Sequence, residues 1–195
     1  AAISIFQNTI TFVSIKQTPA GLIPNTPDTV KLPIGTIENG VIKDSAVVIT
    51  ALKSFQQKHK TRDIFASLPE EYAYIYPITI SQYASYDEIV TAVEFSLQEH
   101  VPLAPEFLTY DWEIVERSLQ GTLISVVAYD SRIRDAYESL YTEAGYRVRG
   151  LEPHICSAAR ACVSQKMTTS VLLLDIDTSV TTLAVVYKGH TLSSS

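Results

Sequence analysis

The stretch "FLTYDWEIVERSLQGTLISVVAYDSRIRDAYESLYTEAGYRVRG" changes its hydrophobic period three times, and this most constrains the fold. Leu108, Tyr110, Trp112 and Ile114 alternate with polar residues, the two-residue period of a strand with one wet face. "TLISVVAY" is more continuously apolar, as a central strand is. After a cap at Asp130 or Ser131, Ile133, Tyr137, Leu140 and Ala144 recur at helical spacing, and Gly145 supplies the C-cap. "YRVRGLE" then returns to a strand. Switching of this kind along one chain places it in the α/β class.

The rest of the sequence follows the same grammar. "ISIFQNTITFVSIKQ" reads as two short strands about a turn at residues 7–9. "TPAGLIPNTPDTVKLPIG" reads as a loop with at most a short strand near Thr29 to Leu32. Asp44 or Ser45 opens a helix to about Lys58, with Val48, Leu52 and Phe55 on one face. "RDIFASLP" and "EYAYIYPITIS" are strands, and Pro77 points to an edge or a bulge. Ser85 and Glu88 form a capping box for a helix that buries Ile89, Ala92, Val93 and Leu97. "EPHICSAARACV" is a short helix, and "SVLLLDID" and "VTTLAVVYKG" form a hairpin-like pair.

Hydrophobic residues make up 46% of the 195, enough to bury a sizeable core. The net charge of −6 and the absence of a Lys/Arg run argue against a general nucleic-acid binder. Cys156 and Cys162, six apart on one helix, point about 120° away from each other, so no disulfide is expected between them. No signal peptide or membrane span is legible, and the expected location is the cytoplasm.

Catalytic motifs are not legible. His59, His100, His154 and His190 are scattered, and no metal site is expected. The sequence holds no nucleophile elbow, P-loop or dinucleotide-binding glycine motif. Asp111 and Glu113 read as the solvent side of a strand, with acid/base work as the alternative. The stripe Tyr72, Tyr74, Tyr76 reads as half-buried sheet, with an interface as the alternative.

Five segments, in order, resemble the type IV pilus assembly protein PilM family. They are "LPIGTIENGVIKDSAVVITALKSF", "ASLPEEYAYIYPITI", "EIVTAVEFSLQEHVPLAPEFLTYDWEIV", "DAYESLYTEAGYRVRGLEPHICSAARA" and "LLLDIDTSVTTLAVVYKG". The resemblance covers nearly the whole chain. It implies an actin-like fold of the FtsA/PilM type, with a ribonuclease H-type core subdomain and an inserted strand-helix-strand-strand (SHS2-type) subdomain. By it, the core takes residues 1–31 and 117–195, and the insert takes 32–116. Members of the family bind ATP in a cleft between two halves. On the first half they bind the cytoplasmic tail of an inner-membrane partner, PilN.

Against that pattern the two phosphate turns are degenerate. The family's first turn reads Asp-hydrophobic-Gly, and here Ser4 and Phe6 hold those places. The second keeps Asp175 but has Asp177 for glycine, followed by Thr178. A carboxylate about 4 Å from a phosphate costs on the order of 4 kcal/mol at an effective dielectric of about 20. That is roughly three decades of affinity. The sequence given also stops soon after this turn, before the region that would hold an adenosine.

The expectation is therefore a non-catalytic interaction module of a pilus or related secretion machine, without a cofactor and peripheral to the inner membrane. It would dock a PilN-like tail and other components of the machine. One alternative is a fragment of an ATP- and Mg-binding actin-like protein, with Ser4, Asp175, Asp177 and Thr178 at the phosphates. Another is a structural subunit that self-assembles through open strand edges. Homo-oligomerisation is left open.

Overall fold

The first strand of the chain is an interior strand of its sheet, hydrogen-bonded on both sides, and one of its two neighbours comes from far along the sequence. The computed structural model describes residues 1–6, 8–19, 21–176 and 180–195. In chain order the elements are β1 (Ala2–Phe6), β2 (Thr9–Val13), β3 (Ile15–Thr18), β4 (Gly21–Pro24), β5 (Asp28–Lys31), β6 (Ile37–Glu38) and β7 (Val41–Ile42). Next come α1 (Ser45–His59), β8 (Asp63–Leu68), β9 (Ala73–Ile80), α2 (Tyr86–His100), β10 (Leu108–Ser118) and β11 (Gly121–Asp130). The chain continues through α3 (Ser131–Glu143), β12 (Arg147–Pro153), α4 (His154–Cys162), β13 (Val171–Ile176), β14 (Thr181–Tyr187) and β15 (His190–Ser194). Two compact units result: Ala1–Glu71 with Arg132–His154, and Tyr72–Ser131 with Ile155–Ser195.

In the first unit the sheet order is β12-β8-β1-β2-β5. β1 runs antiparallel to β2 and parallel to β8, which is in turn parallel to β12. Alternation in β1 and β2 buries Ile3, Ile5, Ile10 and Phe12. α1 begins where the Asp44 carboxylate accepts the Val47 N–H at 3.2 Å, and it ends at Lys60 in the left-handed region. Its buried face is Val48, Leu52 and Phe55, and Phe55 packs on Phe12 with ring centroids 5.9 Å apart. α3 buries Tyr137, Leu140 and Tyr141. Just beyond it, the Tyr146 hydroxyl donates to the Leu52 carbonyl at 3.1 Å, and burial pushes its pKa up to about 12. Asp63, at the start of β8, takes Arg147 at 2.8 Å and Arg149 at 2.7 Å from β12.

In the second unit β11 lies between β10 and β9, antiparallel to both. It is buried on both faces, as its continuous apolar sequence requires. α2 covers one face. Ile89, Val93 and Leu97 meet Tyr76, Ile124, Val126 and Ala128 there. The capping box at its start is complete, with Ser85 bonded to the Glu88 N–H and Glu88 to the Ser85 N–H. On the other face Ile75 joins Ile155, Ala159, Val163, Ala184 and Val186. β13, β14 and β15 form an antiparallel sheet, in which Leu173 and Val171 pack inward while Leu172, Leu174 and Ile176 stay exposed. Among the described residues no helix is long and apolar enough to cross a membrane.

The structure departs from the sequence reading at three hairpins. The loop of residues 18–35 holds the expected short strand, β5, and also β4, paired with β3 in an exposed ribbon. β6 and β7 turn at Asn39-Gly40, both with positive φ. The segment "HTLSS" is β15, turned back onto β14 by Lys188-Gly189, again both with positive φ. The span expected for the insert, 32–116, includes α1 and β8, and β8 pairs with β1 and β12. A strand-helix-strand-strand run is formed by β9, α2, β10 and β11. Cys156 and Cys162, both on α4, are not joined in a disulfide.

Gly121 has φ of +136°, and a Cβ there would lie 2.6 Å from the Ile80 carbonyl oxygen. Gly121→Ala is expected to lower stability by about 1–3 kcal/mol from the backbone alone, read as a lower urea midpoint. Asp63 gives a pH signature. The Arg149 hydrogen bond first, and then that of Arg147, lowers its pKa from the ordinary 3.8. Its contribution is present above 3.8 and is lost as pH falls through the lowered folded value. Asp63→Asn should therefore be less stable than the parent at about pH 7, with the gap closing in urea melts as the pH falls below the ordinary carboxylate range.

Candidate functional site

The phosphate-turn candidates fall in different units. Ser4 lies on β1 in the first, and its hydroxyl accepts a hydrogen bond from Ser67 of β8 at 2.9 Å. Ser67 is buried, so the pair is a cross-strand link. Phe6 ends β1, and its ring centroid lies 5.5 Å from that of His154. Where an Asp-x-Gly turn would present a carboxylate and bare backbone, this strand therefore presents a hydroxyl engaged with its neighbour and a ring pair. Asp175 lies on β13 in the second unit, half-buried and opposite Thr182 in the ladder. Asp177 and Thr178 lie outside the described residues.

Of the tyrosine stripe, Tyr74 and Tyr76 lie on β9 and belong to the core of the second unit, whereas half-buried Tyr72 ends a short 3-10 turn before β9. Tyr76 is buried, its hydroxyl 3.0 Å from Ser96 and its ring stacked on His100 at 4.3 Å. Tyr74 packs against the same cluster. Burial raises the Tyr76 pKa above its ordinary value, although the Ser96 hydrogen bond acts the other way.

A further surface lies on β10 and the adjoining face of α2. β10 is an edge strand, paired with β11 alone among the described residues. Tyr110 and Ile114 are each 38% exposed and Tyr86 is 69% exposed, its ring centroid 5.7 Å from that of half-buried Trp112. The Tyr110 hydroxyl donates to Glu94 at 3.2 Å, and desolvation followed by that carboxylate raises its pKa. Asp111 and Glu113 lie on the solvent side: Asp111 accepts the Trp112 N–H at 2.8 Å, and Glu113 meets His190 at 2.8 Å. Farther along, Glu116 takes Lys188 at 2.7 Å and the Tyr187 hydroxyl at 3.0 Å, which together lower its pKa. The alternation of β10 was legible in sequence. Its place at an edge was not, because strand order is decided by distant segments.

Each unit has a hollow in its surface. One of about 170 Å³ in the first unit is lined by Ser45, Ser139 and Glu143 among aliphatic residues, and an open one lies along α2 by Asp87, Glu88 and Phe95. No histidine, cysteine, lysine or arginine among the described residues lines either. Among the described residues no cluster of three His, Cys, Asp or Glu side chains is placed to hold a metal ion.

No protein-family model matches this sequence, and no curated protein does. Solved structures match over its full length. A structure of the PilM–PilN type IV pilus biogenesis complex aligns with 99% of this chain at a TM-score of 0.82 and 16% identity. The cytoplasmic domain of EpsL, an inner-membrane component of the type II secretion system of Vibrio cholerae, aligns with 98% at a TM-score of 0.65 and 10% identity. The fold is actin-like. The chain spans 59% of the length of the matched pilus protein and 69% of EpsL. At these identities the likeness is one of fold, and residue roles rest on the geometry above.

The Ser4–Ser67 link can be weighed directly. Ser4→Ala is expected to cost about 1 kcal/mol, because it leaves the buried Ser67 hydroxyl without its acceptor. Ser4→Ala with Ser67→Ala should cost less than the sum of the two single changes, read from urea midpoints in a double-mutant cycle.

Proposed function

We propose that this chain is a non-catalytic docking module of a type IV pilus or related secretion machine, and that its partner is the cytoplasmic tail of a PilN-like inner-membrane protein. The observation that carries this reading is the alignment of 99% of the chain with a structure of a PilM–PilN complex at a TM-score of 0.82. The likeness to EpsL, from a different machine, supports the broader class. In this reading the module works at the cytoplasmic face of the inner membrane, and β9–α2–β10–β11 is the inserted SHS2-type subdomain.

The non-catalytic part rests on the turns. Phe6 packs against His154 where a glycine would leave room, and Ser4 is bonded within the sheet. In the sequence, Asp177 puts a negative charge where the family's second motif has glycine. Neither turn favours a triphosphate, and the module works without a cofactor. Tail docking would bury an extended or short helical peptide, with the backbone supplying affinity and side-chain contacts supplying selectivity.

Fluorescence anisotropy tests both halves of the proposal. A labelled N-terminal peptide of a PilN-type protein should bind saturably, with Kd of order 1 μM. Labelled ATP with Mg should not bind below about 1 mM. Nucleotide binding at micromolar concentration without tail binding would overturn the reading in favour of an ATP-binding fragment.

A further inference from the structure

The edge of β10 carries an inference that goes beyond tail docking and does not depend on it. We propose that β10 is a strand-addition site for an extended, lysine- or arginine-rich segment of another protein.

The edge has donors and acceptors to offer. The Trp112 N–H bonds the Asp111 carboxylate and so points away from β11. In an antiparallel ladder backbone orientation alternates, so the N–H and C=O groups of Tyr110 and Ile114 face the same open side. β10 has eleven residues, and its register with β11 is regular from Leu108 to Ile114 before the shift at Glu116. Three outward positions in a row are enough for an added strand to form a ladder. Beside this row Tyr86, Trp112 and Tyr110 supply aromatic area, the composition that marks binding patches.

Charge selects the occupant. Asp111 and Glu113 flank Trp112 on the solvent side, and Glu94 stands beside Tyr110. A second copy of this chain is disfavoured. An antiparallel pair of β10 strands centred on Trp112 sets Asp111 against Glu113; one centred on Asp111 or Glu113 sets that carboxylate against its own copy. Like charges directly opposite each other destabilise a sheet. A cationic strand reverses that sign. It also gives the Asp111 carboxylate a new partner as the incoming carbonyl takes the Trp112 N–H. Asp111 thus acts as a guard: it satisfies the exposed donor when no partner is present and screens out uncharged or acidic strands. Edge strands are commonly protected by charge in this way.

The probe is a synthetic seven-residue peptide of alternating Lys and Val, with an alternating Glu and Val peptide as control. The Lys peptide is expected to bind saturably and to slow hydrogen exchange at the amides of Tyr110, Trp112 and Ile114. Ile114→Pro removes one outward N–H at a position where an edge strand tolerates proline, and should weaken binding by at least about tenfold. Asp111→Asn with Glu113→Gln should weaken it about threefold to tenfold while leaving the fold intact. Equal binding of the Glu peptide would overturn the charge argument. Unchanged binding by folded Ile114→Pro would overturn strand addition and leave a side-chain contact only. If Ile114→Pro does not fold, exchange in the parent protein decides: Lys-peptide binding without protection of those three amides overturns the proposal. A dimer in sedimentation that disappears in Ile114→Pro would identify the second copy as the occupant and overturn it as well.

Discussion

Two-sided pairing of β1 is the constraint on which the first unit depends. Its partners are β2, three residues away in sequence, and β8, which arrives after more than fifty residues of chain. The parallel contact with β8 is non-local and pays its loop-closure entropy before it is formed, so burial must hold it. Ile3 and Ile5 supply that burial on one face. Because the strand period is two, the same two residues fix where Ser4 and Phe6 point. A slip of one residue would turn every side chain of the strand over. The chemistry at the end of β1 is therefore set by packing in its middle.

The second unit is arranged differently. β11 is buried on both faces, between the α2 layer and the layer of α4 with β14. Charged contacts decorate this arrangement without supporting it. Glu116 with Lys188 and Glu113 with His190 link β10 to the β14–β15 hairpin, but they lie near solvent, where such pairs contribute little. The apolar clusters hold the layers, and the carboxylates along β10 are left to decide what approaches the edge.

Local signals in the sequence were reliable where chemistry is local. Asp44 and the Ser85/Glu88 pair start their helices as their side chains dictate. Pro77 falls on β9, which pairs with β11 at the margin of its sheet. The continuous apolar run of β11 is central. Asn39-Gly40 and Lys188-Gly189 were turn signals of the same local kind, but their flanking strands are two to seven residues long and alternate weakly, so the hairpins went unread. The β3–β4 ribbon has exposed side chains on both faces and no period to detect. Of the candidate site, Ser4 and Asp175 could be followed into the structure, whereas the β10 edge could not be seen in advance. A strand does not encode which of its sides will be left without a neighbour.

The outer face of β13 has a practical consequence. Leu172, Leu174 and Ile176 stand in a row on a folded sheet, and Leu183 of β14 lies directly across from Leu174. On the 195 residues given, such a row favours retention on phenyl media in ammonium sulfate without any unfolding, because that salt strengthens apolar burial.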